Sequence, residues 1–259
     1  MDDIFKRAPI ASAPLSIILT VAGATGWEDT LGDWVGYLNG LDREYELLLV
    51  SERPDVTVDA AAGRYTRAKA MPAPDHPGFG AALARGIAAA QMPLLFYGRC
   101  EPAYKPPEIQ KLLKHIDPRD LVVGRRSLPA GVPPPRGRLT QRLLARLLFG
   151  IRLADVGCPF LLARRHIFAR IPIQSHGLFA HAEVIAKANF LGCLMMDTPI
   201  AYQPASPPPR DPTLKEVWPD LRRVFFHPDF GPADVRLVLT DGGVPAKSEV
   251  KIPDGERGT

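Results

Sequence analysis

Three short runs of almost uninterrupted apolar residues constrain this chain more than anything else in it. They are Leu15–Val21 (LSIILTV), Tyr45–Val50 (YELLLV) and Pro93–Tyr97 (PLLFY). A strand with one wet face alternates polar and apolar residues; runs that do not alternate mark parallel strands covered on both faces. Trp34, Val35 and Leu38 fall on one side of a helical segment between the first two runs, with Asp29 or Thr30 as its cap. Strand, helix and strand make one unit with a right-handed crossover. Phe79–Ala90 is an Ala-rich helix opened by Gly78-Phe79-Gly80. Glu108–His115 is a short helix, and Asp120–Val123 a fourth strand. The stretch Ala60–Ala68 fits neither period. Alternating elements of this kind predict an α/β fold with a mostly parallel central sheet and helices on both faces.

In such sheets ligands bind beyond the carboxyl ends of the strands. The loops of interest are therefore 22–28, 51–55, 98–104 and 124–127. The second half of the chain changes character. Arg136–Leu153 reads as a basic amphipathic helix, with Leu139, Leu143, Leu147 and Ile151 on one stripe and Arg138, Arg142 and Arg146 at four-residue spacing. Phe160–Ala163 reads as a strand, His181–Phe190 as a helix, 194–202 as a strand and Leu214–Phe226 as a helix. A length of 259 residues suits one large α/β domain. It is expected at 14–230, between a flexible arm at 1–13 and a tail at 231–259 rich in Gly, Pro and charge.

A net charge of +4 is too small to argue for nucleic acid, but its distribution says more. Residues 119–170 hold eleven Arg and no Lys, against two acids, Asp120 and Asp155. Such an excess suits an anionic partner (diphosphate, phospholipid or RNA) or a solvated helical face. Aromatic platforms interleaved with the Arg, which single-strand binders use, are lacking, so no nucleic acid is expected. Three Cys without a Cys-x-x-Cys spacing argue against a disulfide framework and for a reducing cytoplasm. MDDIFKRAPIASAP is acidic first and has no apolar core, and no run of about 18 apolar residues occurs. Neither a signal peptide nor a membrane span is expected.

Six segments in order resemble the family 2 glycosyltransferases of the GT-A fold. The likeness is greatest to the branch that includes dolichol-phosphate mannosyltransferases and bacterial polyprenyl-phosphate glycosyltransferases. LSIILTV resembles the first strand, and YELLLVSE the strand that normally ends in Asp-Asp-Gly-Ser. HPGFGAALARGIAAA resembles the Asn-x-Gly-x-x-x-Ala-x-x-x-Gly helix, and DLVVGRR the strand ending in Gly-Ser-Arg. DVGCPFLLARRHIF and HAEVIAKANFLGCLMMDTPIAY resemble the two segments that follow. The resemblance runs from about Leu15 to Phe226 and implies a single GT-A, Rossmann-like domain. The departures matter as much. The first-loop Asn-Glu is absent from AGATGWED. Asp-Asp-Gly-Ser is replaced by Ser51-Glu52-Arg53-Pro54, and Gly-Phe-Arg by Pro159-Phe160-Leu161. The Asp-x-Asp acids are replaced by Gly98 and Cys100.

Transfer from a nucleotide sugar breaks the bond between the anomeric carbon and a diphosphate oxygen, and negative charge grows on the diphosphate. In the resembled family a divalent cation, Mg²⁺ or Mn²⁺, offsets that charge. Such ions take carboxylate oxygens and water. Gly98 offers no ligand, Cys100 is too soft, and Glu101 is the single carboxylate beside them, so these residues give Mg²⁺ or Mn²⁺ little support and no metal ligand is assigned. Arg99 offers a substitute, because a guanidinium grips a diphosphate bidentately. Arg125 and Arg126 can join it from the next strand end; the plainer alternative is an exposed loop arginine.

Glu52 can accept hydrogen bonds from a base or ribose, and Ala22 opens the first loop. Gly78 and Gly80 suit close backbone approach at a helix start, where the N-terminus favours an anion. The resemblance implies catalytic or positioning roles for Asp155 and Glu183; a capped turn and an i,i+4 pair with Lys187 are the alternatives. His181 is a candidate base, though a lipid-phosphate acceptor needs none. Two functions follow. One is glycosyl transfer from a UDP- or GDP-linked sugar to a polyprenyl phosphate or other membrane-associated acceptor, with 136–153 in peripheral contact with the inner membrane face. The other is a catalytically inactive pseudoenzyme that binds a nucleotide, a glycan or a protein.

Overall fold

The computed structural model describes residues 9–54, 56–132, 138–204 and 213–231. The expected strands form because their side chains have apolar cover on both sides. β1 (Leu15–Val21) is buried at every position, and β2 (Tyr45–Ser51) at all but one. β3 (Ala68–Met71), β4 (Leu94–Arg99), β5 (Leu121–Ser127), β6 (Phe160–Arg164) and β7 (Met195–Ala201) complete a seven-stranded sheet in the order β3-β2-β1-β4-β6-β5-β7. All neighbours are parallel except that β6 runs antiparallel to both β4 and β5. The sheet is thus mostly parallel, as expected. The short strand β3 falls where periodicity gave no reading. Its four residues lie at the sheet edge and none is fully buried, so no apolar run marks it.

One face carries α1 (Trp27–Asn39), α2 (Asp59–Ala62) and α4 (Ile109–Leu113). Its centre is Trp34, fully buried against Phe96 (5.3 Å between ring centroids) and Phe160 (6.3 Å). The other face carries α3 (Phe79–Ala89), α5 (Arg138–Phe149), α6 (Phe179–Phe190) and α7 (Leu214–Phe226) over Ile18, Leu48, Leu95 and Leu161. α1 begins at Trp27, two residues before Asp29 and three before Thr30, the expected caps. Gly26, at φ 81°, ends the preceding turn, and Thr30 donates its hydroxyl back to the Gly26 carbonyl instead of capping. Of the expected N-terminal arm, residues 1–8 lie outside the described residues, while the backbone amides of Ile10 and Ala11 donate to Asp117 Oδ1 at 2.6 and 2.7 Å. Residues 232–259 of the expected tail also lie outside.

Register decides which side chains share the carboxyl edge. Thr20 of β1 stands opposite Val50 of β2 and Arg99 of β4, so the residues just past these strand ends emerge side by side. Because β6 is antiparallel, the residues before it, not after it, lie at that same edge. A segment joining β6 to α6 then crosses the start of α3. There Gly78 (φ 135°) and Gly80 admit the backbone of Ser175 and His176; a Cβ on Gly80 would lie 2.0 Å from the Ser175 carbonyl oxygen. Two substitutions test this packing. Gly80→Ala is expected to destabilise the protein by about 1–3 kcal/mol, the cost of overpacking. Gly36→Ala, in the interior of α1 with open space around it, is expected to stabilise by about 0.5–1 kcal/mol. Both are read from denaturant midpoints.

Candidate functional site

The carboxyl edge gathers two ion clusters. The first is built on Arg99 at the end of β4. Its Nε donates to Glu52 Oε1 at 3.1 Å and its Nη2 to Glu52 Oε2 at 3.5 Å, while Nη1 meets Glu101 Oε1 at 2.6 Å. Thr20 donates its hydroxyl to Glu52 Oε1 at 2.7 Å. One guanidinium is therefore bracketed by two carboxylates, and all three side chains are largely buried. Burial works against the Arg99 charge, but Glu52 and then Glu101 more than reverse this and hold its pKa above the ordinary value. Burial pushes the Glu101 carboxyl up, the Glu52 charge adds to the rise, and Arg99 only partly opposes it.

Gly98 and Cys100, which the resemblance sets at the place of an Asp-x-Asp motif, do not fit a divalent cation. Gly98 carries no ligand, and a Cβ there would press on the Phe96 ring at 3.2 Å. Cys100 points away into the core, where its thiol donates to the Trp27 carbonyl at 3.3 Å. Burial, then the Glu101 charge, pushes that thiol far above its usual range, so it stays protonated there. Among the described residues no group of three or more His, Cys, Asp or Glu side chains is arranged to hold a metal. The Ala22 carbonyl accepts from Arg53 Nη2 at 2.6 Å.

The second cluster is built on Asp155, nearly fully buried just before β6. Arg126 grips it with Nε on Oδ2 and Nη2 on Oδ1, each at 2.9 Å, and adds its backbone amide to Oδ2 at 3.1 Å. Arg138, at the start of α5, lies 3.4 Å from Oδ2. Burial alone would raise the Asp155 pKa; the Arg126 bonds and charge, with Arg138, hold it below the usual carboxylate range. The Arg126 guanidinium lies 5.6 Å from the centre of the Tyr202 ring, and Tyr202 contacts Tyr104 at 5.1 Å. Arg125 is on the other face of β5, with its Nε buried and without a hydrogen-bond partner. Beneath the edge, Tyr97 OH and His181 Nδ1 are 2.9 Å apart. Burial drives the His181 pKa to about 3, so the ring is neutral at physiological pH. Its Nε2 has no partner.

Other expected site residues sit beside the edge with their groups engaged. The Gly80 and Ala81 amides both donate to the His176 carbonyl, so the start of α3 is closed by backbone. The Gly78 amide donates to the Glu52 carbonyl at 2.8 Å and ties α3 to the end of β2. Glu183 is fully buried. It pairs with Lys187 at 2.7 Å and accepts from the Gln174 and Ser175 amides at 2.7 and 2.9 Å. It thereby anchors the segment that crosses α3. Sequence reasoning did not single out Thr20, Tyr104 or Tyr202 for the site, or Arg138 as a partner of Asp155. The only local signal was the Arg density of the second half.

No protein-family model matches the chain, and no curated protein matches it by sequence. Solved structures do match. Glucosyl-3-phosphoglycerate synthase from Mycobacterium tuberculosis, in complex with Mn²⁺, UDP and glucosyl-3-phosphoglycerate, has a TM-score of 0.61 at 18% identity over 84% of this chain and 79% of that one. The same enzyme with Mn²⁺, UDP-glucose and phosphoglyceric acid gives 0.61 at 19% identity, with the same coverage. A mycobacterial protein gives 0.58 at 19% identity over 77% of this chain and 71% of that one. These likenesses are of fold, and the architecture is that of the GT-A glycosyltransferases.

The Asp155 cluster makes a measurable claim. Asp155→Asn leaves the buried Arg126 guanidinium, and the half-buried Arg138 beside it, short of a counter-charge and is expected to cost about 3–5 kcal/mol in denaturant unfolding. Because the folded pKa is depressed, the stability this carboxylate contributes is present above its unfolded pKa of about 3.9 and is lost as pH falls through the folded value. The variant is therefore expected to lack part of the acid limb of the wild-type stability curve.

Proposed function

We propose that this chain binds the diphosphate of a UDP- or GDP-linked sugar at the carboxyl edge without a divalent cation, and transfers the sugar to a polyprenyl phosphate or other membrane-associated acceptor. The observation that carries the proposal is the Arg99 guanidinium held between Glu52 and Glu101, at the position of the motif that holds the metal in the resembled family. It is a cation built into the chain. Glu52 grips Nε from the buried side with the help of Thr20. Glu101 holds Nη1 from the more exposed side, and burial raises its pKa. A diphosphate oxygen replacing Glu101 at Nη1 leaves Arg99 paired throughout. In transfer the anomeric carbon–diphosphate bond breaks and a bond to the acceptor oxygen forms. Arg99 then faces the oxygen on which charge develops, which is where fixed positive charge lowers the barrier. A phosphate acceptor is already anionic, so the reaction needs no base.

A second reading is binding without turnover. It is favoured by the state of Asp155 and Glu183, each of which is spent in a buried ion pair. No carboxylate of these two is left to activate a hydroxyl acceptor.

Binding of UDP-glucose and GDP-mannose, measured calorimetrically in EDTA, tests the donor site. Arg99→Ala is expected to lose roughly 10- to 100-fold in affinity, the worth of charge-assisted hydrogen bonds. Glu101→Gln is expected to bind more tightly than wild type. Wild-type affinity is expected to rise as pH falls through the raised pKa of Glu101, because a protonated Glu101 stops competing for Arg99, and Glu101→Gln removes that slope. Equal binding by Arg99→Ala and wild type would refute the proposal. Release of free UDP or GDP on addition of a polyprenyl phosphate separates transfer from binding alone.

A further inference from the structure

The helix α5 does not turn its leucine stripe to the core. Leu139, Leu143 and Leu147 are 77%, 56% and 70% exposed, while Ala145 and Phe149 face inward. Arg142 and Arg146 share the exposed side with the leucines. The same mixture recurs on α7, where Trp218, Arg222 and Phe225 follow one another at helical spacing and are all exposed. The two surfaces meet at Phe149, whose ring lies 6.2 Å from exposed Phe190 at the end of α6 and 5.8 Å from Phe225. Phe226, 63% exposed, packs on Phe225 at 5.1 Å. Exposed apolar side chains scattered singly are ordinary. Here, among the described residues, seven of the nine large ones lie on α5, α7 and the end of α6 between them, and a concentration of that kind marks an interaction surface.

Beside the leucines, Arg142, Arg146 and Arg152 surround a cleft of about 290 Å³ with Ile151 and Leu153 also in its wall. Three guanidinium groups over an apolar lining suit a phosphate joined to an apolar body. We propose that the α5–α7 face docks on an anionic phospholipid bilayer, with its leucines and aromatics in the headgroup–acyl boundary and a lipid phosphate in the Arg142–Arg146–Arg152 cleft. Charge complementarity selects this occupant. A second copy of the chain, seated symmetrically, would set Arg142, Arg146 and Arg222 of one protomer toward those of its partner, and like charges held together oppose association. A bilayer of anionic lipid supplies both the apolar layer and the counter-charge. The same helix begins at Arg138, which reaches Asp155, so α5 spans the way from the carboxyl edge to this surface. The docking surface goes beyond the donor-site reading and does not depend on it, and its test uses no nucleotide.

The test is sedimentation of the full chain with vesicles of phosphatidylcholine alone or with about 30 mol% phosphatidylglycerol. Binding is expected only to the anionic vesicles and is expected to weaken with salt. Leu143→Glu with Leu147→Glu, and separately Arg142→Gln with Arg146→Gln, are expected to lower partitioning roughly tenfold or more. Circular dichroism melting should be unchanged for both, since these side chains are exposed. Trp218 fluorescence is expected to shift to the blue on anionic vesicles, a shift that Trp218→Phe removes. Binding to neither vesicle, or equal binding by the folded variants, would overturn the proposal. So would a vesicle-free dimer that Leu143→Glu with Leu147→Glu dissociates, or uptake of inorganic phosphate without vesicle binding.

Discussion

A sheet covered on both faces has little room for charge except at its strand ends, and that constraint orders the rest of this structure. β1, β2 and β4 are packed with apolar side chains along their length. Ser16 and Glu46 pair near the strand starts, and a larger polar group gathers where register brings the carboxyl ends together. Thr20, Glu52 and Arg99 meet there because Thr20 stands opposite Arg99 on one side and Val50 on the other. Once the guanidinium is out of water it needs counter-charge, since an unpaired buried charge is far more costly than a paired one. Two carboxylates supply it. Asp155 and Arg126 repeat the solution a few strands away. Both clusters are held rigidly by the sheet beneath them, which suits a site that must present charge without rearranging.

Much of the fold was legible because long buried strands leave long apolar runs. β1, β2 and β4 could be read to within a residue or two. β3 could not, because a half-buried edge strand of four residues leaves no pattern. The candidate site was legible in part. Loop position after apolar runs picked out Glu52, Arg99 and Glu101, but nothing local shows that the three are mutual partners; that follows from strand register. Asp155 lies 29 residues from Arg126, and their meeting depends on β6 running antiparallel. Glu183 looked like a residue facing a ligand, and an i,i+4 pair with Lys187 was already visible. The structure adds that the pair is wholly buried and bound to the backbone of 174 and 175. The α5 leucines carried a clear amphipathic period, but a period does not say which side meets the protein.

Arg99, set between Glu52 and Glu101, is a cation fixed to the chain. A divalent ion carries two charges and can leave; a guanidinium carries one, cannot be deprotonated in a protein and presents its donors in a fixed plane. Glu52 and Glu101 hold that plane in place from two sides. Cys100, next in the chain, is turned from that edge and buried against the Trp27 carbonyl.

Crystals grown with UDP and Mn²⁺, examined by anomalous scattering at the manganese edge, test this most directly. Nucleotide density at the carboxyl edge, a phosphate oxygen on Arg99, and no manganese peak beside Glu52, Arg99 and Glu101 are expected. A manganese ion bound between Glu52 and Glu101, with Arg99 swung aside, would contradict it.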